Sequence, residues 1–325
     1  MKISENAINI LAAKTYRGIG RAWIVRHLKG NETVNSIVSL LNEDAKEARH
    51  VTHEDFESNR EKIKANIEKL DGAADGVVAI GDPNFPLYRG NVKNSEQPIV
   101  LFYRGELSLL EKTNKNVAVI GLLNPDKDTE IIENVVVSSF VNNGATIVSG
   151  LALGCDSIAH RQALRSNGKT VAILPSPLNE ILPAANKQLA DEIVGKNGLL
   201  ITEYYEKAKS KMELSSRYQE RDRLQALFSD CVVLSASYAK NDLGNDSGSR
   251  LAMEYALNYS IPRSVIYDSA SNAHNPKYDL NRQLISEQGG IIVIDRENLE
   301  PTVKSIIFNY SAVKKESLRQ ADLFG

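Results

Sequence analysis

The sequence predicts an α/β fold in which a doubly wound, mostly parallel sheet follows a small all-helical domain. Short, almost continuously apolar and β-branched runs alternate with helical stretches from Val77 onward. Such runs are typical of strands that are buried on both faces of a parallel sheet. Before that point, apolar residues recur three and four positions apart, as they do on amphipathic helices.

The helical domain is expected over residues 1–75. Its periodicity predicts five helices, at residues 7–13, 21–28, 33–41, 44–49 and 55–70. Gly18-Ile19-Gly20 precedes the second helix and resembles half of a helix-hairpin-helix, whose amides contact a DNA phosphate, so a helix-hairpin-helix or SAM-like domain is expected. The alternative is a tight interhelical turn that needs glycine for steric reasons.

The α/β domain is expected over residues 76–300, and residues 301–325 are expected to form a C-terminal helix and tail. Strands are predicted at residues 117–121, 146–149, 170–174, 198–202, 230–235, 264–267 and 291–294. Right-handed crossovers place helices on both faces of such a sheet, and its ligand binds beyond the carboxyl ends of the strands. Gly150, Gly154, Pro175, Glu203 and residues 247–249 fall at or near that edge.

Composition is that of an ordinary globular chain. The 325 residues allow about two domains, and the net charge of −2 gives no general attraction to nucleic acid, so any such binding needs a local patch. No apolar run has the length of a signal peptide or a membrane span, which predicts a cytoplasmic protein without a membrane partner. Cys155 and Cys231 lack the Cys/His spacing of a zinc site, so no metal and no cofactor is expected.

The most informative segment is residues 149–160, which joins a buried strand, a glycine-rich turn and the start of a helix. At such a junction, backbone N–H groups and the positive end of the helix dipole point at one spot, which suits a phosphate.

The same segment resembles the S-G-L-A-x-G-x-D-x-x-A-H signature of the DNA-processing protein A (DprA, or Smf) family. Further motifs follow in that family's order, at residues 82–86, 98–105, 168–174, 200–204, 221–224, 247–249 and 281–290. The resemblance covers roughly residues 80 to 295, and so many ordered matches argue against chance.

The resemblance implies a Rossmann-like protein that binds single-stranded DNA without strong sequence preference. It also implies protection of incoming strands during natural transformation, loading of a RecA-type recombinase, a homodimer and no catalytic residues. The DNA- or phosphate-binding residues that it marks are Gly121, Ser149, Gly150, Gly154, Asp156, His160, Lys169, Arg221, Arg223, Ser247, Gly248 and Ser249. Arg250, which is extra to the family pattern, is added to them as a candidate phosphate contact. Lys169 precedes its predicted strand, so local geometry places it at the opposite edge, and only the resemblance makes it a DNA contact.

Several of these residues have a simpler interpretation. Arg221 and Arg223 also fit a solvated helix face on which they pair with Glu220 and Asp222. Ser247, Gly248 and Ser249 either cap the following helix or hold a phosphate. The candidate aromatic groups for stacking bases are Tyr204, Tyr205 and Tyr218, each of which also fits a half-buried aromatic position.

The chain departs from the family pattern at three places. Gly121-Leu122-Leu123 stands where the family has G-S-R, Leu153 replaces an arginine, and Asp222 replaces the asparagine of R-N-R. Two cations are lost and an anion is gained, which weakens phosphate binding unless Arg161 and Arg250 compensate. The sequence therefore predicts a diverged member with a weaker or re-aimed site.

The C-terminal segment carries a second motif. Gln320, Leu323 and Phe324 resemble the short peptide by which replication and repair proteins dock on the DNA sliding clamp. Two apolar side chains enter a pocket in that mode, while the glutamine makes hydrogen bonds at its rim. The alternative is an apolar plug that folds back on its own domain.

Three functions remain open. The first is a single-stranded-DNA-binding recombination mediator. The second is a nucleotide-binding or nucleotide-hydrolysing Rossmann protein that resembles the LOG phosphoribohydrolases, suggested by Glu254 behind residues 247–249, although the proline and first paired glycines of that motif are absent. The third is a clamp-docked adaptor in DNA repair or phage defence.

Overall fold

The computed structural model describes residues 1–44, 46, 50–239, 248–287 and 290–309. A ten-stranded sheet runs through it in the spatial order β1-β2-β3-β7-β6-β5-β4-β8-β9-β10. The strands are β1 (Lys2–Ile3), β2 (Gly76–Ala79), β3 (Val100–Gly105), β4 (Asn116–Ile120), β5 (Thr146–Ser149), β6 (Thr170–Ile173), β7 (Leu199–Thr202), β8 (Cys231–Leu234), β9 (Arg263–Ile266) and β10 (Ile291–Ile294). Strand β3 is antiparallel to both of its neighbours, and the other pairs are parallel.

The α-helices flank this sheet. They are α1 (Glu5–Ala13), α2 (Arg21–His27), α3 (Val34–Asp44), α4 (His53–Glu68), α5 (Lys127–Asn142), α6 (Cys155–Arg165), α7 (Lys187–Gly195), α8 (Lys211–Leu227), α9 (Ser249–Asn258), α10 (Ser269–Asn272), α11 (Asp279–Ser286) and α12 (Leu299–Lys304). Polar caps begin several of them: Thr52 and Asp55 form a capping box at α4, and the Asp126 carboxylate accepts from Thr129 N at α5. None of the helices in the described ranges is long and apolar enough to cross a bilayer.

The predicted doubly wound, mostly parallel sheet is confirmed. From β4 the chain moves outward through β5, β6 and β7 on one side, and then returns to build β8, β9 and β10 on the other. The winding therefore reverses beside β4, and this switch point opens a crevice at the carboxyl ends of β4 and β8. All seven predicted strands are present within one residue at each end, and the strands from β4 to β9 are fully buried.

Strands β1, β2 and β3 were not predicted from the periodicity. The first three residues were assigned to the helical part, yet Lys2 and Ile3 pair with β2 and extend the sheet at its edge. Four of the five predicted N-terminal helices correspond to α1–α4. The fifth, at residues 44–49, overlaps the end of α3 at Asp44, while residues 45 and 47–49 lie outside the described part of the chain.

The N-terminal helices share a hydrophobic core with the sheet. Ile8, Ile24 and Phe56 belong to the same buried cluster as Phe102 of β3 and Leu200 of β7. Helices α5, α6 and α12 cover the rest of that face, and α8, α9 and α11 cover the other. The core is thus continuous across residues 75 and 76, and the domain limits set at 75 and 300 stay predictions.

Candidate functional site

A cavity of about 630 Å³ lies at the switch point. Its walls come from the ends and following loops of β4, β5 and β8 and from the first turn of α9. The residues that line it are Ile120, Gly121, Leu122, Leu123, Asn124, Ala152, Leu153, Asp156, Pro183, Tyr218, Arg221, Asp222, Gln225, Tyr238, Gly248, Ser249 and Ala252. This is the place at which a doubly wound sheet presents a ligand site.

Two residues with positive φ angles determine the conformation of the loop after β5. Leu151 has a φ of 58°, and Gly154 combines a φ of 70° with a ψ of −130°. A Cβ atom on Gly154 would lie 2.2 Å from the carbonyl oxygen of Leu122, the same oxygen that accepts from Cys155 N at 2.9 Å. Only glycine therefore fits position 154, and the loops after β4 and β5 are packed against each other at the cavity wall.

The floor of the cavity consists of Asp156, Arg221, Asp222 and Gln225. Nη1 of Arg221 lies 3.5 Å from Oδ2 of Asp156, and its Nε lies 3.2 Å from Oδ1 of Asp222. Gln225 Nε2 donates to the same Oδ1 atom at 2.9 Å. The guanidinium lies directly on Gly150, where a Cβ atom would be 1.3 Å from Nη1. Glycine at position 150 thus makes room for Arg221.

Asp156 lies at the helix start where the sequence predicts a phosphate. Its side chain lies in the first turn of α6, and Oδ2 accepts from the backbone N–H of Ala152 at 3.2 Å. The carboxylate therefore accepts a hydrogen bond from an amide of the glycine-rich loop. Its negative charge also interacts favourably with the positive end of the helix dipole. The Asp156 carboxylate is thus the anion at the start of α6.

Burial sets the protonation of the groups around the floor. Burial raises the pKa of Asp222 to about 7; Arg221 opposes this rise, and the negative charge of Asp156 adds to it. Burial lowers the pKa of His160 to about 3, and the nearby charges of Arg221 and Arg161 act in the same direction. His160 is consequently neutral, with Nδ1 2.7 Å from Oγ1 of Thr170.

A second buried acid lies close to the floor. Glu133 of α5 is fully buried, and burial raises its pKa to about 8, while the nearby polar groups of Cys155 and Ser235 oppose the rise. Burial and Glu133 raise the pKa of the Cys155 thiol. Glu133, Gln225 and Tyr238 were not predicted from the sequence as residues of the site. The signal for Glu133 was a single carboxylate in the apolar run at residues 131–137.

A separate set of charges joins the N-terminal helices to the sheet. We call Arg21, Glu203, Glu220 and Arg223 the junction cluster. Nη2 of Arg223 donates to Oε2 of Glu203 at 2.6 Å, and Nη2 of Arg21 donates to Glu220 at 2.6 Å and to Glu203 at 3.3 Å. These bonds connect α2 to the end of β7 and to α8.

The structure divides the predicted DNA contacts into three groups. Those that line the cavity are Gly121, Asp156, Arg221, Gly248 and Ser249, and Gly150 and Gly154 shape its wall and floor. Those that lie elsewhere are Ser149, His160, Lys169, Arg223 and Arg250. Those outside the described residues are Ser247 and the partner-binding Gln320, Leu323 and Phe324. The binding role of each stays a prediction.

The residues of the second group make internal contacts. Ser149 and His160 are fully buried, and Ser149 Oγ donates to Val119 O at 2.7 Å. Lys169 lies at the amino end of β6, at the opposite edge as its local geometry predicted, and its Nζ donates to Lys196 O at 3.0 Å. Arg250 is ion-paired with Glu254, which does not line the cavity.

The solvated helix face proposed for Arg221 and Arg223 is wrong, because their exposed fractions are 7% and 2%. Both arginines turn into the protein. Arg221 pairs with Asp156 of α6 and with its neighbour Asp222, and Arg223 pairs with Glu203, which follows β7. Among the candidate stacking residues, Tyr218 lines the cavity, whereas Tyr204 donates its hydroxyl to Glu220 and Tyr205 packs against Phe102. Ser249 Oγ donates to Gly121 O at 3.0 Å, across the cavity wall.

Two departures from the family pattern, Leu123 and Leu153, lie at the open side of the cavity, and a third, Asp222, lies in its floor. Leu123 and Leu153 are 58% and 45% exposed, and Leu122 is buried. Arg221 is the only basic side chain among the described residues that line the cavity. Within the same ranges, no three histidine, cysteine or carboxylate side chains group as a metal ion would require.

A central switch-point cavity between the two halves of a doubly wound sheet defines this chain as a Rossmann-like protein. Its family can be assigned more closely. The model of the family described as DNA recombination-mediator protein A matches residues 76–300, and the chain belongs to that family.

Individual relatives agree with this assignment. Protein Smf of Synechocystis sp. is 29% identical over 66% of this chain and 54% of its own length, and the DNA processing protein DprA of Streptococcus pneumoniae is 31% identical over 55% of this chain and 61% of its own. The aligned segments thus span between about half and three-fifths of these curated relatives.

Two solved structures share the fold. The X-ray structure of DprA from Streptococcus pneumoniae gives a TM-score of 0.66 at 25% identity and covers 90% of this chain and 95% of that one. The structure of DNA processing protein A from Helicobacter pylori, which addresses that protein's single-stranded DNA binding mode, gives a TM-score of 0.53 at 28% identity over 66% of this chain and 89% of that one.

Proposed function

We propose that this chain binds single-stranded DNA and acts as a recombination mediator of the DprA type. The observation that carries the proposal is the family match over residues 76–300, which contain the whole switch-point cavity. The Helicobacter pylori relative, with its described single-stranded DNA binding mode, supports the choice of ligand.

The cavity favours binding through bases more than through phosphates. Sequence-tolerant binding of a single strand combines backbone contacts with bases stacked on aromatic rings. Tyr218 and Tyr238 supply rings at the cavity, whereas Arg221 is already paired with Asp156 and Asp222. We therefore expect the affinity to fall only slightly as salt is raised, because few counterions are released when few phosphates are neutralised.

The test is a titration of a labelled oligo-dT strand and of a duplex of equal length, each at two salt concentrations, followed by fluorescence anisotropy. The single strand is expected to bind more tightly than the duplex, with a shallow salt dependence. Absence of binding to the single strand at low salt and high protein concentration would contradict the proposal.

The proposed function includes no catalytic reaction, such as hydrolysis of a nucleotide. The two carboxylates that line the cavity, Asp156 and Asp222, are engaged with Arg221, and Glu254 is paired with Arg250 on the surface of α9. Incubation of the protein with nucleoside monophosphates, followed by chromatography for free base, is expected to show no release. Release of base would favour the nucleotide-processing alternative.

The partner assignments belong to the same proposal. We assign to this chain the loading of a RecA-type recombinase on the bound strand, a homodimer and a place in the cytoplasm, in DNA uptake or recombination. Recombinase filament formation on protein-coated strands tests the first, and analytical ultracentrifugation tests the second. Retention on an immobilised sliding clamp, abolished by Leu323→Ala or Phe324→Ala, tests docking through Gln320, Leu323 and Phe324.

A further inference from the structure

We infer that a DNA strand bound by this chain continues past the junction cluster and that its phosphates bind a basic turn of the N-terminal helices. The basic turn consists of Lys14, Arg17 and Lys46, which are all exposed. The inference rests on the proposed function and adds a second contact surface, outside the cavity and outside the family match at residues 76–300. It follows from the assembly of the turn, its charge, its position beside α8 and the cleft that adjoins it.

Backbone geometry brings Lys46 to the residues that follow α1. Gly18 has a φ of 88°, and a Cβ atom on it would lie 3.2 Å from Cγ of Lys46. The backbone N–H of Lys46 donates to the carbonyl oxygen of Arg17 at 2.8 Å. Glycine at position 18 therefore suits both the turn and the stem of Lys46. Two segments distant in sequence thus place their basic side chains at one turn.

The junction cluster is neutral by itself, so the cations of the basic turn add positive charge beside it. Arg21 and Arg223 pair with the two carboxylates of the cluster, Glu203 and Glu220. Partial desolvation lowers the pKa of Lys14, and the positive charge of Arg21 lowers it further, while both carboxylates oppose this. A phosphate bound beside Lys14 would stabilise its charged form, because an opposite charge at close range favours ionisation.

The junction cluster also fixes where the basic turn lies relative to the cavity. Arg21, which begins α2, donates to Glu220 of α8 at 2.6 Å, whereas Tyr218 and Arg221 of the same helix line the cavity. The turn and the cavity therefore adjoin different sides of one helix, whose diameter is about 10–12 Å. A single strand of several nucleotides spans that width.

The cavity itself offers little to the phosphates of a strand. Arg221 is the only basic side chain among the described residues that line it, and both of its carboxylate partners, Asp156 and Asp222, lie there too. Leu123 and Leu153 stand where the family pattern has arginines. Neutralised phosphates supply a large share of the affinity of proteins for nucleic acids. A basic surface next to the cavity therefore adds the contribution that these departures remove.

A polar cleft adjoins the basic turn and extends the surface. Its volume is about 240 Å³, and Tyr16, which lies within the turn, lines it together with Ser58, Asn59 and Lys62 of α4. Hydroxyl, amide and ammonium groups of this kind donate hydrogen bonds to phosphate and sugar oxygens. Asp55, which also lines the cleft, is held in the capping box of α4. The cleft thus offers a strand further donors beyond the three cations.

The first experiment compares labelled oligo-dT strands of about 6 and about 20 nucleotides, because one binding module occupies about 4–16 nucleotides. Anisotropy titrations at several salt concentrations give the affinity and its salt dependence for each strand. The shorter strand is expected to show the shallow salt dependence of the cavity alone. The longer strand is expected to bind about tenfold more tightly at low salt, and its slope of log K against log salt is expected to be steeper by roughly 2, since each neutralised phosphate adds about 0.7.

Equal slopes for the two strands would overturn the inference and leave the proposed function standing. If neither strand binds at low salt, the proposed function fails and the inference fails with it.

Substitutions that remove charge locate the added contacts. Lys14→Gln and Lys46→Gln are each expected to weaken binding of the longer strand severalfold at low salt and to reduce its salt slope by about 0.7, with the shorter strand unchanged. Lys196→Gln is the matched control, because Lys196 is a half-exposed lysine that follows α7 at the opposite edge of the sheet. Thermal melting checks that each variant is folded.

A charge reversal keeps the test decisive if neutral variants give small changes. Lys46→Glu is expected to weaken binding of the longer strand more than Lys46→Gln does, because it adds repulsion to the lost attraction. Unchanged binding of the longer strand by folded Lys46→Glu protein would overturn the inference. An equal loss for both strands, or an equal loss in the Lys196→Gln control, would overturn it as well.

Discussion

Helix α8 contributes side chains to two polar clusters with different surroundings. Glu220 and Arg223 belong to the junction cluster, and Arg221, Asp222 and Gln225 belong to the floor of the cavity. The junction cluster is tightly bonded, with two N–O distances of 2.6 Å among Arg21, Glu203, Glu220 and Arg223. The cavity floor is looser: its guanidinium lies 3.2 and 3.5 Å from the carboxylates of Asp222 and Asp156. The first joins two parts of the fold, and the second borders the cavity. Two arginines of one motif are thus divided between an internal junction of the fold and the border of the cavity.

Breaking the junction cluster is expected to have the largest effect. Arg223→Ala leaves the buried Glu203 without its closest partner, which costs about 3–5 kcal/mol for a buried ion pair. Urea denaturation measures the free energy of unfolding. Arg104→Ala is the control, because its ion pair with Asp191 lies near the surface and is worth less than about 1 kcal/mol. Similar losses in both variants would refute a structural role for the cluster.

The buried acid beside the floor provides the second test. The pKa of Glu133 rises from 4.5 to about 8 on folding, so the folded protein holds this proton more tightly than the unfolded chain. Its contribution is fully present below about pH 4.5 and is lost as the pH rises through 8. Glu133→Gln removes this dependence and is expected to be more stable than the natural chain above pH 8, by roughly 3 kcal/mol.

Melting temperatures at about pH 5, 7 and 8.5 measure this effect. The two proteins are expected to differ least at the lowest pH, which is close to the pKa of 4.5 that Glu133 has in the unfolded chain, so that little of its contribution has been lost there. A melting-temperature difference that is the same at all three values would show that Glu133 does not titrate in this range.

Substitution of Gly154 tests how tightly the loops after β4 and β5 pack at the cavity wall. Gly154→Ala places a Cβ atom 2.2 Å from the carbonyl oxygen of Leu122 in a backbone conformation that side chains rarely adopt, at an expected cost of about 2–3 kcal/mol. Gly144→Ala is the matched control, because its φ is also positive, at 86°, but its added Cβ meets no atom within 4 Å among the described residues. A cost of about 1 kcal/mol is expected there. Equal losses of unfolding free energy in the two variants would mean that the contact between the two loops does not contribute to the cost at Gly154.

The smallest expected effect concerns the charge of the floor. Because the pKa of Asp222 is about 7, its side chain is mostly neutral below that pH and anionic above it. Affinity for a DNA strand is therefore expected to fall severalfold between about pH 6 and pH 8, through repulsion of nearby phosphates. Asp222→Asn keeps the shape of the side chain and is expected to flatten this profile in anisotropy titrations. An unchanged profile would assign the pH dependence to another group.

Local pattern predicted much of this architecture. Strands that are buried on both faces are continuously apolar and β-branched, so the strands from β4 to β10 were recognisable one by one. The glycine-rich turn at residues 149–160 marked the correct edge of the sheet, because a strand, a tight turn and a helix start require that geometry wherever they follow one another. Leu123 and Leu153, two of the departures from the family pattern that the sequence revealed, lie exposed beside the cavity.

Partners distant in sequence decided the rest. Whether Arg223 is solvated or buried depends on Glu203 and Arg21, which β7 and α2 bring to it, and periodicity along α8 carries no information about them. The antiparallel β3 and the edge strand β1 likewise depend on pairing between segments far apart along the chain. The sequence alone determined the doubly wound sheet and the edge at which a ligand is expected, because these follow from local periodicity and turn chemistry. Only the tertiary structure decided that Asp156 neutralises the helix start and that Arg221 is committed to two acids, because charge balance at a site depends on side chains assembled by long-range packing.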